Sequence, residues 1–225
     1  MRLSNIVMLK LPEGKDNIMT YRLSDHFTDF GLLVMNGSAD PSAAISTFPV
    51  EWVGKYFANG FDKIDPVFHF AVAAGNRSKS TLLNATQMAS DLFDEARIYN
   101  ADSNVVATSY LGGSKMVFGG VNSDLDTRVL PDVQKTCDAA HREILMGRFD
   151  TLTDAQIDVL EMVDEGHGDK EIAAEFGVTI NAIAQRKAAI CNNIGCDRFN
   201  SIAGLYSVYK WGGIVPMGLP ERNFG

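Results

Sequence analysis

The sequence predicts an α/β sandwich, an antiparallel sheet flanked by helices, followed by an all-α four-helix domain containing a helix-turn-helix. Three observations lead to this fold class. Two β-like runs, 104–111 and 114–121, are joined by Gly112-Gly113, a pair free to take the positive φ angles of a tight hairpin turn. Helix patterns opened by cap and proline signals stand on both sides of that hairpin in chain order. From Thr151 onward the texture turns wholly helical, punctuated by glycines. A length of 225 residues accommodates one large or two small domains. The short segment Gly147-Arg148-Phe149-Asp150 reads as the linker, giving domains 1–147 and 148–225.

Taken in order, Asp29 to Asn36 is a short apolar run that ends at Gly37-Ser38 and predicts a buried strand. Pro49, following Thr47 and Phe48, suits the first turn of a short helix, on which Trp52, Tyr56 and Phe57 share a face. Asp65-Pro66 repeats the device as an N-cap and first-turn proline, opening a helix through Val67, Phe68, Phe70 and Ala71. A third helix is predicted over Gln87 to Tyr99. After the hairpin, Leu125 to Met146 reads as a long helix with Val129, Leu130, Val133, Cys137, Ala140 and Ile144 near one face. Pro131 marks either a kink in it or its first turn.

In the second domain, Leu152-Thr153-Asp154 caps a helix carrying Ile157, Val159, Leu160 and Val163, which stops at Gly166-His167-Gly168. A short helix from Asp169 to Phe176 is closed by Gly177. A third runs from about Asn181 to Ile194, stopped by Gly195, and Ser201 to Tyr209 makes a fourth. Helix, glycine turn and helix with inward Ile-Ala pairs form the helix-turn-helix pattern, whose second helix enters the major groove of DNA.

Residues 152–202 resemble the DNA-binding domain of LuxR-type transcription regulators. The resemblance rests on Leu152-Thr153, Val159-Leu160, Val163, Glu165-Gly166, Lys170-Glu171-Ile172-Ala173, Gly177-Val178-Thr179, Ala182-Ile183 and Ile194-Gly195. Upstream, Phe48-Pro49-x-Glu51-Trp52-x-x-x-Tyr56 and Ile64-Asp65-Pro66-Val67 resemble the acyl-homoserine-lactone-binding domain of the quorum-sensing members, in the family's order. The resemblance implies a cytoplasmic, homodimeric regulator that senses a lactone and binds a palindromic operator, with no other cofactor. It assigns Phe48, Trp52, Tyr56 and Asp65 to the ligand. Trp52 would donate its indole N–H to the lactone carbonyl, Asp65 would accept the ligand's amide N–H, and Tyr56 would line the acyl pocket. One donor, one acceptor and aromatic walls suffice to orient an amphiphile in an apolar cavity.

Two sets of residues diverge from the family. Phe48 stands where a tyrosine is common, and Leu82-Leu83 stands where a second pocket tryptophan is expected. The loop Ala74 to Lys79 is lengthened, Asn104 replaces a glycine, and Gly119-Gly120 occupy a strand that often lends the pocket a side chain. An ordinary lactone, a divergent ligand and ligand-independent folding all remain open. On the DNA side, Arg186 suits guanine, Gln185 and Asn181 suit amide contacts to bases, and Lys187 and Arg198 suit phosphate.

Composition is ordinary for a globular protein, 46% hydrophobic and 21% charged, but the net charge of −8 weighs against non-specific nucleic-acid binding. From Thr151 onward ten acidic residues face six basic ones, a net of −4. This acidity raises an alternative, a family member that binds DNA weakly or not at all and inhibits another LuxR-type regulator by heterodimerisation. No apolar run is long enough to span a membrane, and the N-terminal residues lack the pattern of a secretory signal. Three cysteines cannot all pair within one chain, which suits a reducing compartment. Cys191 and Cys196 lack companions for a metal site, and His26, His69 and His141 are scattered. No catalytic constellation is legible.

Overall fold

The computed structural model describes residues 23–24, 26–35, 41–122 and 127–212, which divide into a unit ending at Ile144 and another beginning at Leu145. In the first unit, Gly112 and Gly113 take φ values of 59° and 98° and fold β4 (Val105–Leu111) onto β5 (Ser114–Val121). Strand β1 (Asp29–Met35) pairs antiparallel with the far edge of β5. Two further strands, β2 (Pro41–Ser46) on β1 and β3 (Lys79–Leu82) on β4, complete the antiparallel order β2-β1-β5-β4-β3. Neither edge strand is predicted by pattern. Their sequences, PSAAIS and KSTL, are small and polar, and they are strands because a neighbour offers a ladder.

The pleat sorts side chains between two faces. Phe30, Leu32, Met116, Phe118, Val105 and Ala107 are all buried on one of them. Helix α4 (Leu130–Met146) covers this face with the stripe Val133, Cys137, Ala140 and His141, spaced as one side of a helix. His141 is fully buried and lies between two hydroxyls of the hairpin, Ser114 Oγ at 3.0 Å and Ser109 Oγ at 3.1 Å. A buried imidazole is tolerated there because both ring nitrogens have partners. Pro131 lies in the first turn of α4 and does not kink it, and a 3₁₀ turn over Thr127–Val129 leads in. The predicted start at Leu125, like the strand end at Asn36, lies outside the described residues.

The opposite face carries α1 (Val50–Ala58), α2 (Pro66–Ala74) and α3 (Asp91–Arg97). Asp65 caps α2, accepting from Val67 N at 2.7 Å with Pro66 at the first position. Pro49 corrects its expected place. It is the N-cap of α1, extended at φ −50° and ψ 136°, and not a first-turn residue. Helix α3 is shorter than predicted because Asn84 and Gln87 cross-bond their side chains to each other's N–H at 2.9 Å, closing a separate turn. Ser90 is then extended at φ −151°, which delays the helix to Asp91.

The second unit consists of α5 (Asp154–Asp164), α6 (Asp169–Glu175), α7 (Ile180–Ile194) and α8 (Phe199–Gly212). Each of the first three starts on a side-chain contact. Gln156 accepts from Thr153 N at 3.1 Å, Glu171 from Gly168 N at 2.8 Å, and Thr179 from Ala182 N at 3.2 Å. Gly177, at φ 62°, makes the turn between α6 and α7. Val159, Leu160, Ile172, Ile183, Ile190, Ile194 and Ile202 are fully buried together with Phe149. The Phe149 ring packs 5.4 Å from Tyr206 and 5.1 Å from Tyr209. Arg148 donates to the Ile194 carbonyl at 2.8 Å, answering one of the orphan acceptors at the end of α7.

Candidate ligand cavity and nucleic-acid surface

Between the sheet and α1 to α3 lies a cavity of about 360 Å³, within the range of small-molecule sites. All four sequence-predicted ligand residues, Phe48, Trp52, Tyr56 and Asp65, line it. Trp52 and Tyr56 come from one face of α1, one helical turn apart, as the i, i+4 spacing requires. Trp52 is buried in an aromatic nest, its ring 6.0 Å from Phe61, 5.7 Å from Tyr99 and 5.8 Å from Tyr56. Among the described residues its indole N–H has no hydrogen-bond acceptor, which leaves a donor for an occupant of the cavity.

Asp65 supplies the complementary acceptor. Its Oδ1 accepts from Val67 N and its Oδ2 from Tyr56 Oη, both at 2.7 Å, so the carboxyl is fixed in orientation with lone pairs to spare. Burial pushes its pKa above the ordinary carboxylate range, and the two hydrogen bonds oppose that shift. Burial first, then the adjacent Asp65 charge, raises the Tyr56 phenol well above its usual value, so Tyr56 remains a donor. The remaining walls are apolar, among them Val53, Phe57, Phe68, Leu92, Phe93 and Val117.

The resemblance places Gly119 on a pocket strand, but sequence reading misses Gly31 and with it the cavity floor. Gly31 of β1 and Gly119 of β5 are cross-strand partners, and both line the cavity. With no side chain on either, side chains from outside these two strands approach the sheet closely at that point. The Phe48 ring leans on Gly31, where a Cβ would lie 3.2 Å from its edge. On the Gly119 side a Cβ would meet Ser103 Oγ and Val67 Cγ2, each at 3.3 Å. No local pattern announces this floor, because only the strand register brings the two glycines opposite each other.

On the second unit, α7 presents Asn181, Ala184, Gln185, Ala188 and Asn192 to solvent, a face of amides and methyl groups without a charge. Arg186 is half-buried with its guanidinium 5.5 Å from the centre of the Phe176 ring. Lys187, expected to contact phosphate, is ion-paired within the second unit. Its ammonium pairs with Asp169 at the start of α6 and stands 4.6 Å over the Phe199 ring, with its side chain 19% exposed. Arg198, between α7 and α8, is exposed, as is Lys170. Of the three basic residues expected to meet DNA, Arg198 is the exposed one, and Arg186 and Lys187 are half-buried. Among the described residues no group of three or more His, Cys, Asp or Glu is arranged to hold a metal ion, and no helix is long and apolar enough to cross a membrane.

Solved structures to which the chain is similar include SdiA from Escherichia coli, at 18% identity over 88% of this chain and 90% of that one, with a TM-score of 0.43. SdiA in complex with octanoyl-rac-glycerol matches at 17% identity over 85% of each chain, also at 0.43. CepR2 from Burkholderia cenocepacia, an N-acylhomoserine lactone dependent LuxR family transcription factor, matches at 18% identity over 55% of this chain and 75% of that one, with a TM-score of 0.40. Likenesses this loose fix no function. No protein-family model and no curated protein matches the chain.

Proposed function

We propose that the chain is a LuxR-type transcription regulator whose first unit binds an N-acyl-homoserine lactone, or an amphiphile with the same amide head, and whose second unit binds DNA. One observation carries the ligand reading: a free indole donor on Trp52 and a fixed carboxyl acceptor on Asp65 line the same apolar cavity. An N-acyl-homoserine lactone offers the matching pair, its ring carbonyl for Trp52 and its amide N–H for Asp65, with an acyl chain for the aromatic and aliphatic walls. Burial of that chain would complete the core of the first unit and stabilise it by linkage. In this reading the protein works in the cytoplasm as a homodimer on a palindromic operator, since two half-sites are needed for useful affinity.

The test is calorimetric titration of N-octanoyl-homoserine lactone into the purified full chain and its Asp65→Asn variant. Saturable binding in the parent, weakened at least tenfold in the variant by loss of a charged hydrogen-bond acceptor, is the expected outcome. No binding by the parent contradicts the reading.

A second reading has its own support. The pairing of Lys187 with Asp169 and the uncharged exposed face of α7 favour a regulator that binds DNA weakly and acts by heterodimerising with another LuxR-type protein. Fluorescence anisotropy with a set of palindromic duplexes at low salt separates the two. Absence of salt-dependent binding, with and without lactone, supports the second.

A further inference from the structure

Five of the described residues lining the cavity carry side-chain hydrogen-bonding groups: Ser46, Trp52, Tyr56, Asp65 and Ser103. An amide asks for an acceptor at its N–H and a donor at its own carbonyl, besides whatever the rest of the head group needs. Asp65 is the acceptor. The Tyr56 hydroxyl hydrogen is already given to Asp65. Ser46 accepts from Phe48 N at 3.2 Å, which engages its oxygen and not its hydrogen, and it stands at the Gly31 end of the floor, 3.9 Å from where a Gly31 Cβ would be. Phe48 has no hydroxyl. Ser103 alone has a hydroxyl with no hydrogen bond to any described residue.

Position also favours Ser103. Val67 gives its N–H to Asp65 Oδ1, and its Cγ2 packs over Gly119 beside Ser103 Oγ, each 3.3 Å from where a Gly119 Cβ would be. Val67 thus neighbours both the carboxyl acceptor and the patch of floor that the free hydroxyl borders. Gly119 has no positive φ, so its backbone does not demand glycine; what the position permits is the close approach of Ser103 and Val67 to the sheet.

We propose that Ser103, from its place over Gly119 on the cavity floor, donates to the amide carbonyl of the ligand and so selects an N-acyl amide. This assignment rests on the ligand reading above. The experiment titrates the full chain with two probes, N-octanoyl-homoserine lactone and its thioamide analogue, whose sulfur is a poor acceptor. The parent binds the amide more tightly. Ser103→Ala weakens the amide about fivefold and the thioamide by about twofold or less, which collapses the preference. Ser103→Thr, keeping the hydroxyl, retains it. Gly119→Ala, whose methyl would press on Ser103 Oγ and Val67 Cγ2, displaces the hydroxyl and weakens both probes. Because the Ser103 hydroxyl has no described partner, the unliganded Ser103→Ala protein melts at the parent temperature.

The outcomes are distinct. If the parent binds neither probe, the ligand reading falls and this assignment falls with it. If the parent binds the amide but Ser103→Ala keeps the parental preference, only the Ser103 assignment is overturned. Unchanged binding in Gly119→Ala overturns the role given to Gly119.

Discussion

Asp65 closes the N-terminus of α2, accepts the Tyr56 hydroxyl and faces the cavity, so one carboxyl joins local structure to recognition. Its raised pKa gives that arrangement a pH signature. A carboxyl whose folded pKa exceeds its unfolded one binds more protons in the native state across the interval between them, so its contribution to stability falls as pH rises through that interval. Urea melts of the parent and Asp65→Asn between about pH 4 and pH 7 should show the parent losing stability relative to the variant as pH rises. A parallel pair of profiles contradicts the account. The residues that local chemistry fixes were legible in part, since Asp65-Pro66 states its capping role in two positions, whereas the Thr179 cap of α7 went unread. Ser103 and Lys187 were not legible, because a loop serine carries no pattern and the ion pair to Asp169 depends on how α6 and α7 cross.

Elements show the same division. The hairpin, α1, α2 and the four C-terminal helices follow from glycines, caps and apolar spacing, whereas β2 and β3 exist through pairing with β1 and β4. Strand β5 is tightly fitted on its α4 side. A Cβ on Gly120 would lie 2.6 Å from the Phe27 ring and 2.9 Å from that of Phe118, both buried. Gly120→Ala should therefore cost about 1–3 kcal/mol by overpacking, read as a lowered urea midpoint, while Gly119→Ala, with contacts at 3.3 Å, costs less. In the second unit Phe149 is the residue that ties the lead-in turn to α8. Phe149→Ala leaves a cavity beside Tyr206 and Tyr209 and should destabilise that unit by about 3–5 kcal/mol, measurable as early loss of helical signal on heating.

At the scale of the molecule, a net charge of −8 sets how nucleic acid would be met. With Lys187 paired, Arg186, expected at guanine, and Arg198, expected at phosphate, are the expected basic DNA contacts left without an ion pair in each copy. A dimer would then release about four counterions, and log K should fall with log salt at a slope of roughly −3.6. A slope twice as steep, found by anisotropy on a palindromic duplex, would place further cations in the interface. The acidity thus bears on strength of binding more than on fold, and it makes occupancy of the cavity the firmer part of the account.

The most direct test of that part is the indole N–H of Trp52. The chain has two tryptophans, so a ¹⁵N-labelled sample gives two indole cross-peaks, and Trp52→Phe identifies one of them. On saturation with N-octanoyl-homoserine lactone, the Trp52 indole proton should move downfield as it gains an acceptor. An unmoved Trp52 cross-peak at saturating lactone would contradict the central claim.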